Sequence, residues 1–318
     1  MTAGTLTRGR MAEHPVWRKV LAADQLAGRL VQPVIVSDAV EDRERVDGTG
    51  GLARISITEA VREARAASAA GIAGLFVFGA SERKDENALL AVQRDHVVPR
   101  AVRAIKDALP ELAVATDVCV CAYTTHGQCV LFSGGGADIP GTLERLAEIA
   151  RVHADAGADL VLPSGMLDGS VGALRTALQS DHPAIPIAAM AKLESALYRT
   201  NRIALGAVPI RERAVPLLDP SDRGAAEARL RRDIAAGADA VVVKPGIAAL
   251  DVVASVAGTL DVPVIAYHTA DEHAIFSGES DADGVAAERE VIAASRRAGA
   301  QIVISYGAIG LDDQRSAG

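Results

Sequence analysis

Three cysteines lie within one short stretch of this chain: Cys119 and Cys121 are separated by a single residue, and Cys129 returns after a loop holding Thr124, His126 and Gly127. Thiolates are strong zinc ligands, and a catalytic zinc usually has three protein ligands and a fourth position open to water or substrate. The chain has no other cysteine. That excludes a secreted disulfide framework and does not look like core thiols scattered at random. The plain alternative is that these thiols are packed as small apolar residues. His126 offers a fourth nitrogen, although histidines in loops more often face solvent or hydrogen-bond.

Two lysines carry the other half of the chemistry. Lys244 ends the run Ala240-Val241-Val242-Val243 and is followed by Pro245-Gly246, and Lys192 follows the apolar run that starts at Ile185. An ammonium drawn into apolar surroundings loses hydration, so its pKa falls, and a second cation beside it pushes the pKa lower. The neutral amine then attacks a ketone and forms a Schiff base. A solvated surface charge is the usual state of a lone lysine. Two lysines at the ends of neighbouring strands argue for the imine.

Bringing these groups together needs a scaffold that gathers strand ends. Eight short apolar runs begin at Pro33, Gly74, Ala113, Leu160, Ile185, Ala240, Pro263 and Gln301. Such continuous runs suit a parallel sheet covered on both faces. Segments of helical period lie between them, for example from Ile57, Thr142 and Gly224, and they end in glycine. The phrases Ala156-Gly157-Ala158-Asp159, Ala236-Gly237-Ala238-Asp239 and Ala298-Gly299-Ala300-Gln301 read as a helix stop followed by strand entry. With right-handed crossovers the pattern predicts a single (β/α)8 TIM barrel over 31–318, preceded by an N-terminal arm over 1–30. A doubly wound open sheet is the alternative. Barrel enzymes place their chemistry at the carboxyl ends of strands. Asp117, Cys119, Ser164, Lys192, Lys244, His268 and Tyr306 all fall there.

The 318 residues are 49% hydrophobic but only 3% aromatic, so Ala, Val, Leu and Ile must build the core. A net charge of -8 and a pI near 5.4 argue against nucleic acid or anionic membrane as a partner. A small-molecule substrate fits better. Arg8, Arg10, Glu13, Arg18 and Lys19 interrupt any signal peptide or spanning helix, which predicts a soluble cytoplasmic protein. The first ten residues have the composition of a disordered tail. Gly134-Gly135-Gly136 lacks the lysine and helix of a phosphate cradle and reads as a loop beside the cysteines.

Longer motifs resemble a known family. DVCVCAYTTHGQC from Asp117, PSGMLDGSVGALR from Pro163, AKLESALYRTNR from Ala191 and VVVKPGIAALDVV from Val241 are similar to the zinc loop, aspartate segment and two lysine segments of porphobilinogen synthase, also called 5-aminolevulinate dehydratase. The resemblance runs from Pro33 to Tyr306. It implies a hydro-lyase of barrel fold that joins two 5-aminolevulinate molecules into a pyrrole with loss of two waters. Lys244 then binds the first substrate and Lys192 the second, while Cys119, Cys121 and Cys129 hold Zn2+. Asp117 and Asp168 are expected as further catalytic groups. Arg202 and Arg213 match the clamp on the second substrate's carboxylate, carried on a mobile lid, and Tyr306 helps hold the first. Ser164 and Tyr198 are expected as further substrate contacts. The resemblance also implies a homo-oligomer, an octamer in the family, in which the N-terminal arm grips a neighbouring subunit.

Departures from the family pattern cluster around the same site. Gly165 replaces the first aspartate of its segment and Ser170 the closing arginine. Ala270 stands for the serine that shares carboxylate binding with the tyrosine, and His273 for a tyrosine three residues further on. Arg199-Thr200 replaces the Gly-Pro of the lid, Leu217 a glutamine, Gly307 an aromatic residue and Arg229 a glutamate that serves an allosteric magnesium. A second reading follows, a paralogue that condenses or dehydrates a different amino-ketone or keto acid by the same lysine and zinc chemistry. A third is a zinc-binding regulatory protein without catalysis.

Overall fold

The computed structural model describes residues 9–277 and 281–312. Eight parallel strands form its centre: β1 (Leu30–Ser37), β2 (Gly74–Ala80), β3 (Ala113–Val118), β4 (Leu160–Pro163), β5 (Ala188–Lys192), β6 (Ala240–Lys244), β7 (Val264–Tyr267) and β8 (Ile302–Ile304). Their order is β4-β3-β2-β1-β8-β7-β6-β5. A parallel bridge from Val161 to Ile187, beside the Val161 N–H to Pro186 carbonyl bond of 3.2 Å, joins β4 to the entry of β5. The sheet thus closes into the expected TIM barrel, and the open doubly wound alternative is excluded. A short hairpin, Arg43–Arg45 with Ala53–Ile55, pairs onto β1 at its carboxyl end.

The strands form where the sequence has buried β-branched and small residues. All seven residues of β2 and all five of β6 are buried, Lys244 included. The helices between them start at side-chain caps. Ser56, Asp138 and Asp222 each accept a backbone N–H of the first turn, and Thr269 with Glu272 makes a reciprocal capping box. They stop where the three Ala-Gly phrases predict. Gly157, Gly237 and Gly299 have φ of 98°, 107° and 110°, the left-handed turn that a residue with a Cβ adopts only under strain.

The aspartates that follow two of those glycines staple the strand entries. Asp159 accepts from Lys106 Nζ at 2.8 Å and from the Val114 N–H at 2.9 Å. Asp239 accepts from Arg10 at 3.1 Å, from Arg175 and from the Ile187 N–H. These bonds lie at the end of the barrel opposite the lysines, where they serve stability.

The expected N-terminal arm is, in its described part, two helices, Arg10–Glu13 and Pro15–Ala22, packed on the barrel's own strand-entry end. Trp17 is buried there and its indole N–H donates to the Asp159 carbonyl at 2.8 Å. Residues 1–8, the bulk of the segment read as a disordered tail, lie outside the described residues. Among the described residues no helix is long and apolar enough to cross a membrane.

Candidate active site at the barrel mouth

Lys192 and Lys244 are register partners on β5 and β6, so parallel pairing alone sends both side chains off the same face. Lys192 belongs to its strand rather than lying just past it. Both amines stand over aromatic rings: Lys244 Nζ lies 3.8 Å from the Tyr267 ring centre, and Lys192 Nζ 4.8 Å from that of Tyr198. The Tyr198 hydroxyl donates to the carbonyls of Leu193 and Lys244 at 2.6 and 2.9 Å, which fixes the ring beneath the pair. Lys244 is 5% exposed. Burial, then the neighbouring Lys192 charge, holds its ammonium well below the ordinary lysine range; burial also lowers Lys192.

Asp117, at the end of β3, faces the same chamber. Burial raises its carboxyl to about 6, against a hydrogen bond from the Ser164 hydroxyl that works to lower it. Its Oδ1 is buried without a hydrogen-bond partner. Arg202 enters from the Arg199–Ala204 helix, its buried Nε likewise unpartnered. Together with Cys121, Cys129, Phe76, Phe78, Asn201 and Tyr267 these groups line a cavity of about 40 Å³.

The three cysteine sulfurs lie within 4.8 Å of one another, and Cys119 and Cys121 are 3.4 Å apart. Their protons are shared unequally. Hydrogen bonds from Cys119 and Cys121 hold Cys129 well below the usual thiol range, while Cys119 is raised by its bonds to the other two and by burial. A set of three soft donors, Cys119 and Cys121 buried and Cys129 half-buried and inclined to be thiolate, fits a zinc ion. Gly165 leaves the cluster its room, because a Cβ there would stand 3.0 Å from the Cys129 Cβ. The absence of the expected aspartate at 165 thus has a packing counterpart. His126 is not part of the cluster. Its Nδ1 accepts from the Gln128 N–H at 3.0 Å and its ring packs edge-on against Phe132.

Other expectations land elsewhere. Asp168 is not brought to the chamber: its side chain is 79% exposed and pairs with Arg229. Arg229, at the position of the family's glutamate, is buried; it also bonds Asp233 at 2.7 Å and the Met166 and Leu167 carbonyls at 3.2 Å, bracing the turn that follows β4. Arg213 pairs with the exposed Glu194 and does not line the chamber. His268 points away from the mouth, since side chains alternate along a strand; its Nε2 meets Ser295 Oγ at 2.8 Å on the Asp281–Arg297 helix. Tyr306 reaches the chamber's rim. Its hydroxyl donates to Asn201 Oδ1 at 2.7 Å and stands 3.5 Å from the Tyr267 hydroxyl.

Asn201 and Tyr267 are the site residues that the sequence reading passes over. Tyr267 was legible as the last inward residue of β7. Asn201 was not, because it enters only when the Arg199–Ala204 helix folds across the mouth. That helix is tied at one end by Thr200, whose N–H and hydroxyl donate to Asp271 at 3.1 and 2.6 Å, and at the other by Arg54, which donates to the Ala204 carbonyl at 2.8 Å. Thr200, in place of a lid proline, is what makes the first tie.

Comparison with known proteins agrees with this geometry. The family model described as delta-aminolevulinic acid dehydratase matches residues 6–313. The delta-aminolevulinic acid dehydratase of Methanothermobacter thermautotrophicus is 34% identical over 305 residues, 93% of each chain. That of Escherichia coli K12 is 33% identical over 313 residues, 96% of each. The solved delta-aminolevulinic acid dehydratase of Toxoplasma gondii ME49, in complex with the product porphobilinogen, superposes with a TM-score of 0.86 at 28% identity, covering 95% of this chain and 89% of that one. Dihydropteroate synthase of Xanthomonas albilineans, with a TM-score of 0.51 at 16% identity over 90% of this chain and 89% of that one, shares the fold alone.

Proposed function

This chain belongs to the delta-aminolevulinic acid dehydratase family, and we propose that it is a zinc-dependent lyase that forms Schiff bases on Lys244 and Lys192 and condenses two amino-ketone molecules with loss of water. The observation that carries this reading is the register pairing of a buried lysine, Lys244, with a half-buried one, Lys192, whose amines are both shifted toward the neutral form. A neutral amine adds to a ketone carbonyl, and the resulting carbinolamine loses water once its hydroxyl is protonated. Asp117, whose carboxyl burial raises to about 6, would give and retake that proton. Tyr198 and Tyr267 keep the amines over their rings and keep bulk water from them. Arg202 supplies an unpaired cation for an anionic group on the second substrate.

Zinc held by Cys119, Cys121 and Cys129 would supply Lewis acidity beside Lys192. We further propose a cytoplasmic homo-oligomer. Family membership supports 5-aminolevulinate as the substrate and a pyrrole as the product. One observation favours the second reading, a different amino-ketone: Ala270 and His273, not a serine and a tyrosine, line the cavity next to Tyr306.

Borohydride reduction in the presence of 5-aminolevulinate, followed by peptide mass mapping, tests the chemistry. An adduct at Lys244 is expected. Absence of an adduct with every ketone tried would overturn the proposal, and trapping by ketones other than 5-aminolevulinate alone would select the second reading. A pyrrole assay on the zinc-loaded protein then identifies the product.

A further inference from the structure

Gln128, the residue before Cys129, is 4% exposed and spends its amide on a single stretch of chain. Its Nε2 donates to the carbonyls of Arg211 and Glu212 at 3.3 and 2.8 Å, and its Oε1 accepts from the Ala214 N–H at 3.3 Å. These bonds bracket Arg213, so the side chain stands in for the backbone partner that a neighbouring strand would supply. His126 adds another bond, its carbonyl accepting from the Ile210 N–H at 3.3 Å. Gly127 lets the two stretches approach. Its φ is 66°, and a Cβ there would come within 2.6 Å of the Val208 carbonyl oxygen.

Residues 208–217 form neither helix nor strand. Among the described residues, every backbone hydrogen bond they make goes to His126 or Gln128. The stretch is a strap. At one end the Ala207 N–H donates to the Arg202 carbonyl at 2.8 Å, and at the other the Leu218 N–H donates to the Lys192 carbonyl at 3.0 Å. Its middle rests on the 119–129 loop alone. That loop has no helix or strand after β3 to hold Cys129 in place. An ion shared by the sulfurs of Cys119, Cys121 and Cys129 would close the loop and fix the backbone of Gln128, and a ligand stabilises whatever order its binding requires.

We propose that Gln128 is a positioning residue that couples the strap to the metal: an ion bound by the three cysteines fixes the segment that carries Arg213, and loss of the ion releases it. The inference rests on the zinc reading above and adds to it the order of a segment that supplies no ligand.

The full chain is compared zinc-loaded and stripped of zinc by chelation under reductant. Trypsin cleavage after Arg211 or Arg213 is mapped by mass, and amide hydrogen exchange is followed at Ile210, Ala214 and Leu218. Stripping zinc is expected to speed that cleavage roughly ten-fold and to speed exchange at Ile210 and Ala214, while Leu218 keeps its protection. Gln128→Glu keeps the side chain's size and its acceptor but removes the donor to Arg211 and Glu212. With zinc it should be cleaved as fast as the stripped native protein, its own response to zinc falling below about two-fold. Its thiolate-to-cobalt charge-transfer band should match that of the native protein. If the variant fails to fold, exchange at Ala214 in the native protein decides, because that amide reports its bond to Gln128 directly. Metal binding that leaves cleavage and exchange unchanged overturns this inference, as does equal loss of protection at Leu218 or an undiminished zinc response in Gln128→Glu. Each of these leaves the zinc reading intact. If neither zinc nor cobalt binds, the zinc reading falls and takes this inference with it.

Discussion

Lys192 lies directly across the β5–β6 ladder from Lys244, so the larger perturbation of Lys244 has a named second cause in its partner's charge. Removing that charge should raise the Lys244 pKa and reduce the fraction of neutral amine at a given pH. In Lys192→Met, the pH profile for ketone trapping at Lys244 is therefore expected to move toward alkaline pH. Burial, the first cause, persists, so the profile should stay below that of a free lysine. An unmoved profile would show that the two amines do not sense each other.

The cysteine cluster predicts one zinc per chain. Replacing the zinc with cobalt should give a thiolate-to-cobalt charge-transfer band, a spectroscopic readout independent of turnover. Cys129→Ser should lower metal affinity by an order of magnitude or more, because it exchanges the most acidic thiol of the three for a hydroxyl. Full cobalt occupancy with an unchanged band in that variant would remove Cys129 from the ligand set.

Much of this was legible in the chain and some was not, for reasons that can be located. The eight strands announced themselves because a closed parallel sheet needs unbroken apolar runs, and the catalytic ends followed from barrel geometry. The run from Pro33 begins three residues late, since Gln32 looks polar although its amide is spent on the Tyr306 carbonyl at 2.8 Å. His268 was misjudged because being at a strand end does not say which face a side chain takes. Asp168 and Arg213 matched motifs, but each found an ion-pair partner outside the chamber. Glu288 was invisible. It sits in a charged helical segment that reads as a solvated face, and only packing against Ser305 and Gly307 reveals a buried carboxylate.

Asp271 ties the helix that carries Asn201 and Arg202 across the mouth through two donors on Thr200. Hydrogen bonds to a charged group contribute about 1.5–3 kcal/mol each. Asp271→Ala should loosen that helix, so that limited proteolysis of the 205–214 segment speeds up several-fold and KM rises by roughly ten-fold, more than kcat falls. Unchanged proteolysis would mean that Arg54 and Lys84, which hold the Ala204 and Gly206 carbonyls, suffice alone.

Three buried histidines set an acid limit on stability: His268, which burial lowers to about 4, and a neighbouring pair. His153 and His96 have ring centres 6.1 Å apart, and burial lowers them to about 3 and about 4. Folded values below the unfolded one of about 6.5 mean that unfolding takes up protons in acid. The stabilisation is complete above pH 6.5 and is lost as the pH falls toward 4, by about 2 kcal/mol per histidine at pH 5. Urea midpoints of the native protein should fall over that window. His153→Leu should flatten the dependence, and midpoints equally steep in native and variant protein would exclude His153 as a source.

Arg229 predicts the metal response beside the turn that follows β4. A guanidinium that bonds Asp233, Asp168 and two backbone carbonyls occupies the position that the resemblance assigns to a magnesium-linked glutamate in many family members, and a cation there repels a second cation. Activity with zinc present is expected to be unchanged when magnesium is chelated, and a collapse in rate would contradict this placement. Arg229→Glu does not restore a magnesium site in isolation. It puts a new carboxylate against the buried Asp233 and leaves the Met166 and Leu167 carbonyls unpaired, and breaking a buried pair in this way costs about 3–5 kcal/mol. The variant should therefore unfold at a markedly lower urea concentration, and added magnesium should recover stability only if the two carboxylates together bind it.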